Sequence, residues 1–149
     1  MATISGGKLF EDKLREIAAK VTRPATLRVG FLENATYPDG KSVAMIAAIQ
    51  EFGAPSRGIP PRPFFRGAIA KHSKEWPSAI AALLVDNSYD GAKALDVAGA
   101  AIAGQLRQAI RDFVGIPLKP ATIARKGHDK QLVDTGVMLN SIDHEVTTS

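Results

Sequence analysis

"SYDGAKALDVAGAAIAGQLRQAIRDFV", residues 88–114, is the stretch on which the fold turns. Its positions Leu95, Gly99, Ile102, Leu106, Ala109 and Phe113 step alternately by four and three, the heptad-like seam of a helix with a buried face. Ala98, Gly99, Ala103 and Gly104 are small enough to let a neighbouring backbone come close. Ser88 is placed to cap this helix, which is expected to run to about Val114. It is the natural centre of packing.

Upstream, residues 8–21 place Leu9, Leu14, Ile17, Ala18 and Val21 on one side of an amphipathic helix. Arg23-Pro24 stops it, because a residue before proline is pushed out of the helical region. "ATLRVGFL", 25–32, alternates: Leu27, Val29 and Phe31 would face a core from a strand. A turn-rich loop follows, and Ser42 can cap the helix "VAMIAAIQEF". "GAPSRGIPPRP", 53–63, has four prolines, so an ordered or extended loop is predicted there. Pro63 suits the first position of a helix over 64–76. Pro77 then kinks or restarts that helix before "SAIAALLVD".

Downstream, residues 115–133 show no sustained periodicity and are expected to be loosely structured. A short helix over 135–141 and a strand over 142–148 close the sequence. The expected fold is α+β in a single domain over 1–149: a small, mostly antiparallel sheet of 25–32 and 142–148, packed by the long central helix and shorter ones.

With 149 residues the chain can bury a core without staples, and it has no cysteine to form disulfides or a thiolate metal site. The opening "MATISGGKLFEDKLRE" lacks the layout of a signal peptide, and Lys93 and Asp96 interrupt the most apolar run. A soluble cytosolic protein with no membrane partner is expected. The net charge of +4 is spread among carboxylates rather than gathered into a stripe. No aromatics are set among the basic residues, so sequence-specific nucleic-acid binding is not suggested.

Three motifs suggest chemistry and meet plainer readings. Asp134-Thr135-Gly136 is the tripeptide of aspartic proteases, but that fold needs a flap and strands beyond the motif, and its preceding chain is not helical. Asp134 or Thr135 as a helix cap explains it more simply. Gly40-Lys41-Ser42 follows a strand and opens a helix, as a phosphate-binding loop would. Ala35 stands where its first glycine belongs, however, and Pro38 has no N–H to give. A small nucleotide-binding enzyme using this loop is the alternative from a different class. His72, His128 and His144 lack ligand-like spacing. No catalytic, metal or cofactor residues are expected.

Two segments carry a more specific signal. "IAAIQEFGAPSRGIPPRPFFRGAI", 46–69, has an apolar helix ending in Glu51-Phe52-Gly53, then Pro60, Pro61, Arg62, Pro63 and Phe64, with Arg66 following. "LKPATIARKG…QLVDTGVMLNSI" has Pro120, Thr122, Lys126, then Asp134, Thr135, Gly136, Ser141 and Ile142. In this order they resemble a family of tailed-phage morphogenesis proteins. That family includes tail-completion or head–tail joining (neck) proteins and minor tail proteins of the lambda Z type. The resemblance covers about two-thirds of the chain.

The resemblance implies a structural virion protein, not an enzyme. It would form a homo-oligomeric ring, sixfold in the family, between the tail tube or tail terminator and the head connector or adaptor. DNA would only pass through the lumen. Arg57, Pro61, Arg62, Pro63, Phe64 and Arg66 are the expected interface with a neighbouring subunit or neck partner, because stiff prolines and planar guanidinium donors suit docking. Phe64 and Phe65 could equally serve the subunit's own core. Glu51, Phe52, Gly53, Asp134, Thr135 and Gly136 are expected to be structural, with Gly53 ending its helix at positive φ. The alternative among binding proteins is a head-side morphogenesis factor not retained in the virion.

Overall fold

The computed structural model describes residues 6–129, 131–132 and 136–149. It contains α1 (Gly7–Val21), β1 (Ala25–Phe31), α2 (Val43–Phe52), a 3-10 turn (Pro55–Arg57), α3 (Phe64–His72) and α4 (Trp76–Asp86). These are followed by α5 (Gly91–Asp112), α6 (Pro120–Lys126), α7 (Val137–Asn140) and β2 (Ile142–Thr148). The fold is α+β, with the two strands paired antiparallel from Ala25↔Thr148 to Phe31↔Ile142 and packed on α5.

Facing residues in this register share a side of the sheet. Leu27 and His144 lie against α5 at Gly99: a Cβ there would fall 2.7 Å from Leu27 Cδ1 and 2.5 Å from His144 Cδ2. The other side carries Thr26, Arg28, Asp143, Glu145 and Thr147, with Arg28 Nη1 3.3 Å from Glu145 Oε1.

The long helix is central, as its pattern predicts, but its details differ. Ala94, Ala98, Gly99, Ala103, Leu106 and Ile110 are its buried positions. The expected Leu95, Ile102, Ala109 and Phe113 are only half-buried flanks. α5 is pressed by the sheet on one side and by α3 and α4 on others, so Ala94, Ala98, Gly99 and Ala103 allow close approach while Leu106 and Ile110 fill the core. Its cap is Asp90, whose carboxylate accepts from Lys93 N–H at 3.1 Å, not Ser88. Ser88 and Tyr89 take φ of 54° and 62° in the left-handed turn that reverses α4 into α5.

Two other boundaries depart from expectation, and at Pro77 one of the two expected alternatives holds. Pro63 stands just before α3 rather than in its first position, and α3 ends at His72. Pro77 lies in the first turn of α4, so it restarts the helix rather than kinking it. Residues 115–133 are not uniformly loose, because Pro120 opens α6 and Gly127 closes it at φ 78°. Ser42 does cap α2, accepting from Met45 N–H at 3.3 Å. The proposed cap by Asp134 or Thr135 lies outside the described residues, and the last helix is limited to Val137–Asn140.

The core joins Val43 and Ala47 of α2, Phe64 and Ala68 of α3, Ala103, Leu106 and Ile110 of α5, and Leu132, Met138 and Ile142. Phe31, Phe64 and Phe65 meet edge-to-face at centroid distances of 6.3 Å. Each large side chain buried here contributes roughly 1.5–3 kcal/mol. α1 has no share in this core, having no buried residue at all.

Candidate functional site

The most organised polar feature lies where α2 ends and α3 begins. Gly53 takes φ 75° and ψ 175°, and a Cβ on it would lie 2.8 Å from both Ile59 O and Pro61 N. Only glycine fits that crossing. The proline-rich loop then closes on itself: Ala54 and Ile59 exchange N–H···O bonds of 2.8 and 3.1 Å, with Gly58 left-handed at φ 65°. Arg62 N–H returns to Gln50 O at 2.7 Å, so both ends of the loop are tied to α2.

Glu51 is the keystone. It is only 5% exposed, and Oε2 accepts from Phe65 N–H at 2.9 Å. Oε1 accepts from Arg66 N–H at 3.2 Å and from Arg66 Nε at 2.7 Å. Phe65 and Arg66 belong to the first turn of α3, whose amides have no partner within their own helix. A carboxylate borrowed from α2 therefore caps α3, favoured by the positive end of that helix. The Arg66 guanidinium also lies 5.0 Å above the ring of Phe52, which is 64% exposed.

Arg62 is built differently. It is 9% exposed, Nη1 donates to the neutral Gln50 Oε1 at 2.9 Å, and Nε has no partner. Burial pulls its pKa below the ordinary guanidinium value. Among the described residues no carboxylate lies within ion-pair distance of it. Beside it opens a groove of about 950 Å3 between the proline loop, residues 116–119, α6 and α7.

The expected interface residues thus separate. Arg57, Pro61 and Pro63 are solvent-exposed, and Arg62 lines the groove. Arg66 is exposed but held by Glu51. Phe64, at 2% exposure, is a core residue and offers nothing to a partner, because its ring meets those of Phe31 and Phe65 edge-to-face inside the core. Gly53 is structural as expected. Asp134 and Thr135 are outside the described residues; Gly136 is left-handed at φ 81° before α7. Sequence reading missed the role of Glu51 as a cap. The signal was there: an acid in the last turn of a helix sits at the wrong end of its dipole and needs a reason.

The other motifs find local uses. In the Gly40-Lys41-Ser42 turn, Gly40 N–H donates to Tyr37 O at 2.9 Å and Lys41 N–H to Asp39 Oδ1 at 3.1 Å. Lys41 Nζ is 2.6 Å from Asp39 Oδ2, so this turn presents no free amide cradle. His144 Nε2 lies 3.0 Å from Asp96 Oδ1, and His72 Nδ1 3.9 Å from Glu75. Among the described residues no group of three or more histidine, aspartate or glutamate side chains is gathered for a metal. No helix there is long and apolar enough to cross a membrane. No family model, curated protein or solved structure matches the chain.

Proposed function

We propose that this chain is a structural virion protein of a tailed phage, a tail-completion or head–tail joining protein that acts by binding. The observation that carries this reading is α1. Phe10, Leu14, Ile17 and Val21 follow helical spacing, yet Phe10 is 67% and Leu14 48% exposed, and no residue of the helix is buried. An isolated helix of this length is marginal in water, so a surface elsewhere must complete it. The interlocked Glu51-Phe52-Gly53 and Pro-x-Arg-Pro-Phe motif, with its stiffened loop, supports the same reading.

In this mechanism copies associate head to tail, each using two different surfaces, and the rotation closes a ring. The ring joins the tail tube or terminator to the head connector and leaves a passage for DNA, with no base-specific contact. It uses no cofactor and performs no catalysis. Electron microscopy of particles made without this protein tests the reading. Filled heads with separate tails, or tails of abnormal length, are expected; intact infectious particles would overturn it. Mass spectrometry of purified virions separates a resident neck protein from a head-side factor that leaves.

A further inference from the structure

Two arginines four residues apart in one motif receive opposite treatment. Arg66, largely exposed, is given a buried carboxylate. Arg62, nine-tenths buried, is given only the neutral oxygen of Gln50, and its Nε–H has no acceptor. A buried cation ordinarily has an anion beside it, because desolvation without one is strongly unfavourable. The chain supplies none to Arg62 among its described residues.

The groove that Arg62 lines suggests where the anion comes from. Ile59, Pro60 and residues 116–118 make one wall apolar. Lys41, Lys119, Arg125 and Lys126 also line it, and among the described residues the one acid lining it is Asp39, which is paired with Lys41. Arg125 and Lys126 have further interactions within the chain, so the unspent charge is chiefly that of Arg62 and Lys119. Gln131 Oε1, another lining group, is a buried acceptor with no donor. A ligand offering a carboxylate, an N–H and apolar side chains would meet all of these. An extended acidic peptide has that chemistry. A DNA backbone does not, since its phosphates have no use for a proline and isoleucine wall and its bases would want aromatic platforms.

We propose that this groove binds an extended acidic segment of a partner protein, setting one carboxylate on Arg62 and apolar neighbours against residues 116–118. This deepens the assembly reading, on which it rests for the identity of the partner as a neck or tail protein. Its test needs only the isolated protein, so either can fail without the other.

The test is fluorescence anisotropy with a labelled peptide of sequence Gly-Leu-Pro-Glu-Leu-Glu-Gly, with the Arg62 Nε–H resonance followed by 1H–15N NMR. Saturable binding that shifts that resonance is expected. Replacing both glutamates of the peptide by glutamine, or Arg62→Met in the protein, should weaken binding about tenfold or more. Arg62→Met should leave the thermal midpoint unchanged or raised, since an apolar side chain of similar size removes an uncompensated charge. If that variant does not fold, Lys119→Glu on the rim, an exposed position, should still weaken binding several-fold. Equal binding of the glutamine peptide, or no saturation at millimolar peptide, would overturn the proposal. So would displacement of the peptide by a 20-base-pair DNA duplex that binds more tightly.

Discussion

Arg66 Nε lies 2.7 Å from Oε1 of Glu51, a carboxylate that closes α2 in sequence but caps α3 in space. The ion pair is the visible part of this contact, but the two backbone amides are the larger part of its energetics. Arg66 has a side chain 58% exposed, so Arg66→Ala should cost about 1 kcal/mol or less. Glu51→Ala leaves the Phe65 and Arg66 amides without their acceptor and should cost about 2–4 kcal/mol. Urea denaturation of the two variants checks the ranking. Equal losses would show that the guanidinium, not the helix cap, is what Glu51 serves.

The loop that follows depends on one glycine and tolerates change at another. Gly53→Ala puts a methyl 2.8 Å from Ile59 O and Pro61 N at a positive φ, and backbone cannot yield as a side chain does. A loss of about 3 kcal/mol or more is expected. Gly58 is also at positive φ, but nothing lies within 4 Å of its Cβ position. Gly58→Ala should cost only about 1–2 kcal/mol. Comparison of thermal midpoints separates crowding from conformational strain.

A similar contrast runs along α5. Gly99→Ala forces Leu27 and His144 away from the helix and should destabilise by about 1–3 kcal/mol. Gly104 has nothing within 4 Å of its Cβ position, so Gly104→Ala should gain about 0.5–1 kcal/mol from helix propensity alone. If both changes stabilised the protein, the sheet would have to pack on α5 less closely than described.

These glycines also mark how far the sequence could be read. The strands, the central helix, the Ser42 cap and the positive φ of Gly53 all follow from local rules of periodicity and capping. The cap of α5 was misread because Ser88 and Asp90 are both good caps. Only the left-handed turn between α4 and α5 decides between them, and that turn is set by tertiary packing. Phe64 and Arg62 were legible as a motif but not as a core residue and a groove residue, since burial depends on what arrives from elsewhere in the chain. α6 was missed because seven residues carry too little periodicity, although Pro120 and Gly127 bracket it correctly.

The charges on α1 make a pH prediction. Lys20 Nζ is 2.8 Å and Lys13 Nζ 3.0 Å from the Glu16 carboxylate. Their hydrogen bonds, that of Lys20 first, lower its pKa from 4.5 to about 2. A depressed carboxyl pKa means a contribution present above the ordinary value and lost as pH falls through about 2. A 13C NMR titration of the Glu16 carboxyl should show the low value, and Lys20→Gln and Lys13→Gln should each raise it. Molar salt should bring it back toward the ordinary value, because the pairs lie at the solvent-facing surface of the helix.

The apolar side of the same helix gives the prediction that bears on function. Phe10 and Leu14 are exposed and no buried residue lies in α1, so Phe10→Ser with Leu14→Ser removes nothing from the core. The stability of the folded subunit should change by no more than about 0.5 kcal/mol. Association should change far more, because the pair leads the uncovered stripe. Sedimentation velocity of the two proteins across a concentration series should show the wild type forming larger species and the double variant staying a monomer. A large fall in the thermal midpoint would instead mean that α1 packs on its own subunit in solution, and the reading of α1 as an assembly surface would be lost.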